Sequence, residues 1–181
     1  MSVDPSRTLL SLDLLDDDEY AQLAAWGNQA MLKERPEIQR SIPGVFTQQV
    51  ERAPDALALT FAGQSMTYRE LDEAANRLAH FLAAEGVGPG QFVALLFSRS
   101  TEAIVAILAV LKAGAAYLPI DPALPAARIE FLLTDASPVA VVTTAALLHK
   151  LDGFGVRVFD VGDPAVYAQS CAALPAPAPD D

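Results

Sequence analysis

The side chains that could do chemistry in this sequence are few and widely separated. Lys112, Tyr117 and Asp121 fall in one short stretch that joins an apolar run to a strand. Sites in α/β proteins form at strand ends, so Tyr117 and Asp121 are candidates by position. Packing and turn capping account for them better. Lys112 reads as a cation on a helix C-terminus, where the macrodipole favours it. His80 lies on a polar helix face and His149 stands alone, without a Cys, Ser or acidic partner at a telling spacing, so neither reads as a base or a metal ligand. Cys171 is the single cysteine, which excludes an intrachain disulfide framework and a Cys-rich zinc site. Asp16-Asp17-Asp18-Glu19 lacks the Gly turn and distal Glu of a calcium loop and reads as a solvated helix start. Gly86-Val87-Gly88-Pro89-Gly90 is glycine-rich but follows a helix and precedes a strand, the reverse of a dinucleotide turn, and Pro89 removes a donor. Trp26 reads as a packing anchor.

The elements that position these residues are well marked. A short helix starts at Asp16–Glu19, with Tyr20, Leu23, Ala24 and Trp26 as apolar points. A second is expected over 43–52, stopped by Pro54. Strands at 56–61 and 64–67 flank Ala62-Gly63 as a hairpin. Thr67 and Glu70 form a capping box. The helix behind it carries Leu71, Ala74, Ala75, Leu78, Ala79 and Leu82 at i, i+3, i+4 spacing. Arg69, Asp72, Glu73, Asn76, Arg77 and His80 fall on its polar side, and Gly86 ends it. From Ser100 to Gly114 runs a helix apolar nearly all round, which must be buried on several sides. Pro125 opens another helix with Ile129, Leu132, Leu133 and Ala136, and 145–151 is a short helix. Strands at 92–97, 116–120, 139–143 and 156–159 are apolar on both faces, as buried parallel strands are. Strands alternating with helices imply an open, layered α/β sheet, mainly parallel, with flanking helices.

The chain has 181 residues, 52% hydrophobic and 19% charged, enough for one buried core. Its net charge of −11 argues against holding nucleic acid or an anionic membrane by bulk charge. Residues 56–128 are nearly neutral, so the acidity belongs to the flanks and reads as solubility. The longest apolar run, 103–111, is far short of the roughly 20 residues of a membrane span. The N-terminus lacks a signal-peptide pattern. A soluble, cytoplasmic protein is expected.

Two stretches resemble the adenylation domains of nonribosomal peptide synthetases, in the adenylate-forming (AMP-dependent synthetase/ligase) superfamily. Met66-Thr67-Tyr68-Arg69-Glu70-Leu71 resembles the first core motif, with Met66 in place of Leu. Leu111-Lys112-Ala113-Gly114-Ala115-Ala116-Tyr117-Leu118-Pro119-Ile120-Asp121 resembles the second at every fixed position, and Pro122, Pro125, Arg128 and Ile129 continue its usual sequel. The resemblance implies an incomplete domain. Residues 1–41 would be a condensation–adenylation linker, 42–160 the N-terminal portion of the large N-terminal subdomain, and 161–181 a loose Ala/Pro-rich tail.

In such a domain, ATP and magnesium activate an amino acid as aminoacyl-AMP, which is then loaded onto the phosphopantetheine of a carrier domain. The family's phosphate loop would follow a segment like Ala178-Pro179-Asp180-Asp181, and the specificity pocket, ribose-binding aspartate and catalytic lysine would lie further on. No catalytic, cofactor-binding or metal residue is therefore carried over, and this chain alone is expected to be inactive and to bind no cofactor. Expected partners are condensation and carrier domains and the remainder of the adenylation domain. Self-association through uncovered apolar surface is a further expectation. Two alternatives stand: an interaction module docking on a condensation domain through Leu14, Leu15, Tyr20, Leu23 and Trp26, or part of an acyl-CoA synthetase or fatty-acyl-AMP ligase.

Overall fold

The computed structural model describes residues 15–27 and 41–175. The chain divides into two compact units, Met1–Gln39 and Arg40–Asp181. Leu14, and the expected linker and tail at 1–14, 28–40 and 176–181, lie outside the described residues.

In the first unit, helix α1 spans Asp17–Trp26. The Glu19 N–H donates to Asp16 Oδ1 at 2.8 Å, and the Asp16 N–H donates to Glu19 Oε2 at 3.0 Å, which closes a capping box. No α1 residue is buried, and Trp26 is 73% exposed. Within the described residues Trp26 therefore does not anchor a core.

The second unit opens with α2 (Ile42–Arg52), capped by Ser41. The hairpin β1 (Leu57–Phe61) and β2 (Gln64–Thr67) follows. Its turn residues Ala62 and Gly63 both have positive φ, 51° and 81°. Two positive φ angles match the right-handed strand twist. Helix α3 (Tyr68–Ala84) begins at the expected Thr67–Glu70 capping box.

Both long helices end in the same way. At the end of α3, the Gly86 and Val87 N–H groups donate to the Ala83 and Leu82 carbonyls. After α4 (Thr101–Lys112), those of Gly114 and Ala115 donate to Leu111 and Val110. Gly86 and Gly114 have φ of 88° and 80°. These are Schellman ends, which need a left-handed residue and place an apolar one just after it. Val87 and Ala115 are both buried.

The main sheet is four-stranded and parallel, in the order β4 (Ala116–Ile120), β3 (Phe92–Leu96), β5 (Ala140–Thr143), β6 (Val158–Asp160). Alternation along β3 splits the core. Val93 and Leu95 face α3 and α4 in a cluster with Leu78, Leu82, Ala109 and Val110. Ala94 and Leu96 join Ile129, Leu133 and Leu151 on the other side, from α5 (Ala126–Ala136) and a 3₁₀ segment (Ala145–Leu151). The result is a helix–sheet–helix sandwich. A third cluster of Leu71, Ala75 and Leu108 seats α2 and the hairpin through Phe46, Leu59 and Met66.

Three expectations need correction. β4 is an edge strand with Ala116, Tyr117 and Pro119 exposed, not a strand buried on both faces. An edge tolerates Pro119, which has no N–H to offer the ladder. Asn76, expected on the polar side of α3, is 1% exposed. Residues 161–175 are not a loose tail. They hold helix α6 (Pro164–Tyr167), Val166 is buried, and Leu174 packs on the first cluster. Four residues are too few to show a helical period, so only Asp163 followed by Pro164 marks the start of α6 in the sequence.

Candidate functional site

The sheet reverses its strand order between β3 and β5. After β3 the chain moves outward to β4, and after β5 it moves to β6 on the other side. Ligands of open α/β sheets bind outside the C-terminal strand ends at such a switch point. Here the Thr143 hydroxyl is fully buried and donates to the Leu96 carbonyl at 2.7 Å, tying the two strand ends together.

Two clefts open on this edge. The larger, about 650 Å³, is lined by Met66, Arg77, Glu102, Thr144, Asp160 and Tyr167 among others. Its charges are largely committed. Arg77 pairs with Glu73 at 3.5 Å, and Asp160 Oδ1 accepts the Gly162 N–H at 2.9 Å. The second, about 490 Å³, lies between the ends of β3 and β4 and includes Ser98, Arg99 and Asp121. Asp121 caps a turn there, accepting the Ala123 N–H at 2.8 Å. These clefts offer shape and mixed polarity rather than an assembled acid–base set.

The other sequence candidates are dispersed. Tyr117 sits on the exposed side of the β4 edge. His149 is exposed in the 3₁₀ segment. His80 reaches the Ala172 carbonyl with Nε2 at 3.0 Å. Cys171 is exposed, and its carbonyl accepts a hydrogen bond. The Gly86–Gly90 loop lies at the N-terminal end of β3, opposite the C-terminal strand ends, and the Gly88 N–H is taken by Gln91 Oε1 at 3.0 Å.

Lys112 departs most from its sequence reading. It ends α4, yet it is only 7% exposed and points at α3 rather than at the helix's own carbonyls. Its Nζ donates to Asp72 Oδ1 and to Asn76 Oδ1, both at 2.6 Å, and lies 5.5 Å from the centre of the Phe46 ring. Asn76 Nδ2 donates to Asp72 Oδ2 at 3.0 Å and to the Cys171 carbonyl at 2.9 Å. A buried lysine is tolerable only when paired and hydrogen-bonded in this way. Sequence reasoning missed this cluster. The signal was an Asp and an Asn four residues apart beside the apolar stripe of α3.

No buried side-chain nitrogen or oxygen lacks a partner among the described residues, and no group of three His, Cys, Asp or Glu gathers there as a metal site. No described helix is long and apolar enough to cross a membrane.

Comparison with known proteins gives these pieces a context. A family model for AMP-binding enzyme matches residues 46–177. The isonitrile lipopeptide synthase of Mycobacterium tuberculosis is 55% identical over 159 residues, covering 88% of this chain and 6% of that protein. Tyrocidine synthase 2 of Brevibacillus parabrevis is 40% identical over 175 residues, covering 97% and 5%. Among solved structures, the nonribosomal peptide synthetase FmoA3 in its α-methyl-L-serine-AMP-bound form superposes with a TM-score of 0.81 at 29% identity, over 97% of this chain and 20% of that one. The N-terminal subdomain of Klebsiella oxytoca NpsA gives 0.67 at 26% identity, over 75% and 34%. The chain thus spans a small part of the relatives it matches. It belongs to the AMP-binding enzyme family and is a segment of an adenylation domain of the nonribosomal peptide synthetase kind.

Proposed function

We propose that the protein containing this chain activates an amino acid with ATP and magnesium. The amino-acid carboxylate attacks the α-phosphorus, the bond to the β-phosphate oxygen breaks, and aminoacyl-AMP and pyrophosphate result. The acyl group then passes to the phosphopantetheine thiol of a carrier domain, with release of AMP. The observation that carries this reading is the family match across residues 46–177, on a fold shared with an aminoacyl-AMP-bound synthetase. Relatives named as peptide synthases favour it over an acyl-CoA synthetase or a fatty-acyl-AMP ligase.

The role of this segment is scaffolding. It supplies the sandwich and the strand-end surface on which the rest of the domain would build its site. Condensation and carrier domains would be its neighbours, in the cytoplasm, with residues 1–41 as the linker. The exposed Leu23 and Trp26 of α1 favour a docking role for that linker.

ATP–pyrophosphate exchange tests the proposal. A polypeptide carrying the whole domain should exchange in the presence of its amino acid, whereas this chain alone should not. Robust exchange by residues 1–181 alone would overturn the scaffolding role. Its absence from the whole domain, across all proteinogenic amino acids, would count against adenylation.

A further inference from the structure

Among the described residues, the last backbone hydrogen bond of the segment after α6 is that from the Gln169 N–H to the Val166 carbonyl. Beyond it, residues 170–175 lie along α3 and are held by side chains. Asn76 donates Nδ2 to the Cys171 carbonyl, and His80, one helical turn on, meets the Ala172 carbonyl. Positions i and i+4 share a helix face, so α3 reads two successive carbonyls of the strap with two successive turns. Leu174 adds an apolar contact.

The orientation of Asn76 is fixed by charge. Its amide could face either way in principle, but Lys112 Nζ, 2.6 Å away, has only hydrogens to offer and selects the oxygen. That leaves the NH2 group for Asp72 and the Cys171 carbonyl. An asparagine is a poor residue for a helix interior, and burying its amide costs free energy unless every group is satisfied. Lys112 and Asp72 meet that condition, and the strap carbonyl completes the set.

We propose that Asn76 is a positioning residue. Oriented by Lys112, it fixes residues 170–175 on α3 and so sets where the chain enters the ATP-binding part of the domain. This rests on the adenylation reading above, in which the phosphate loop follows the segment after residue 175.

The test uses Asn76→Asp and His80→Ala. Asn76→Asp keeps an oxygen for Lys112 but turns a second oxygen on the Cys171 carbonyl. Limited proteolysis of this chain should show cleavage within residues 170–175 rising about tenfold in Asn76→Asp, as for loss of one buried hydrogen bond, and about threefold in His80→Ala. Cleavage within the β3 and β5 strands should not rise. Unchanged strap cleavage in both variants overturns the proposal. So does an equal rise across strap and sheet in both, which would make the contacts merely structural.

In the whole domain, Asn76→Asp should raise the apparent KM for ATP about tenfold while the KM for the amino acid holds, tracking the proteolysis result. A released strap with an unchanged KM for ATP overturns the positioning role. Failure of the unmutated domain to exchange would instead refute the adenylation reading, and the strap measurement would still judge the clamp itself.

Discussion

Helix α3 carries two polar assemblies built from similar groups. At its first turn, Thr67 and Glu70 bond each other's backbone N–H on the exposed surface. One turn further, Asp72 and Asn76 take Lys112 from α4 in a site where Lys112 is 7% and Asp72 18% exposed. The first assembly satisfies the helix's own orphan donors and would form on any helix. The second joins α3, α4, Phe46 of α2 and the strap after α6. Burial is what separates them: screened by water, a carboxylate's bond stabilises little, but out of water the same bond costs much to break.

The sharpest way to break this contrast is to remove the buried cation. Lys112→Ala leaves Asp72 and the Asn76 oxygen facing a gap, and should destabilise the fold by about 3 kcal/mol. Urea unfolding should show a lower midpoint with unchanged slope. Replacing the pair together, Lys112→Met with Asp72→Leu, should recover about half of that loss, because apolar groups need no partner. A loss from Lys112→Ala no larger than from a surface lysine would mean that the cluster is solvated after all.

Removing the cap comes next. Thr67→Ala should cost about 1 kcal/mol, measured in the same way. Arg69→Ala should cost still less, about 0.5 kcal/mol or below. Arg69 pairs with Asp55 at 3.1 Å, but the side chains are 53% and 82% exposed. That difference should vanish in 0.5 M salt or thereabouts, where the Debye length shrinks to a few ångströms.

The same contrast explains what could be read from the sequence. The capping boxes at Asp16 and Thr67, the Ala62-Gly63 turn and the Gly86 and Gly114 helix ends are local, and each is visible in a few adjacent residues. The order of helices and strands follows from periods of 3.6 and 2. Burial of Asn76 and Lys112 depends on residues 36 positions apart meeting, and the strap on a contact 95 positions long. The local hint in α3, an Asp and an Asn four residues apart, does not name the cation they take. The edge position of β4 was hidden for a similar reason, since Ala116–Ile120 is apolar enough to pass for a central strand and only the strand order exposes it. The Leu111–Asp121 motif identified the family, yet its lysine serves the fold through a partner that the motif does not contain.

The smallest effect tests the exposed assembly by pH. The Thr67 backbone N–H, and then its hydroxyl, hydrogen-bond the Glu70 carboxylate and hold it below the ordinary glutamate value. A folded-state value below the unfolded one means that the charged form stabilises the fold above the unfolded pKa. The contribution is lost as pH falls through the folded value. Glu70→Gln keeps a side chain able to accept the Thr67 N–H but removes the titration. The stability difference between the two proteins should be flat from neutrality down to about pH 5, then shrink as pH falls through the carboxylate range toward about pH 3. Both proteins share every other carboxylate, so their common acid destabilisation cancels in the difference. A difference that grew on acidification would mean that Glu70 is held protonated rather than charged, and would remove the electrostatic part of the cap.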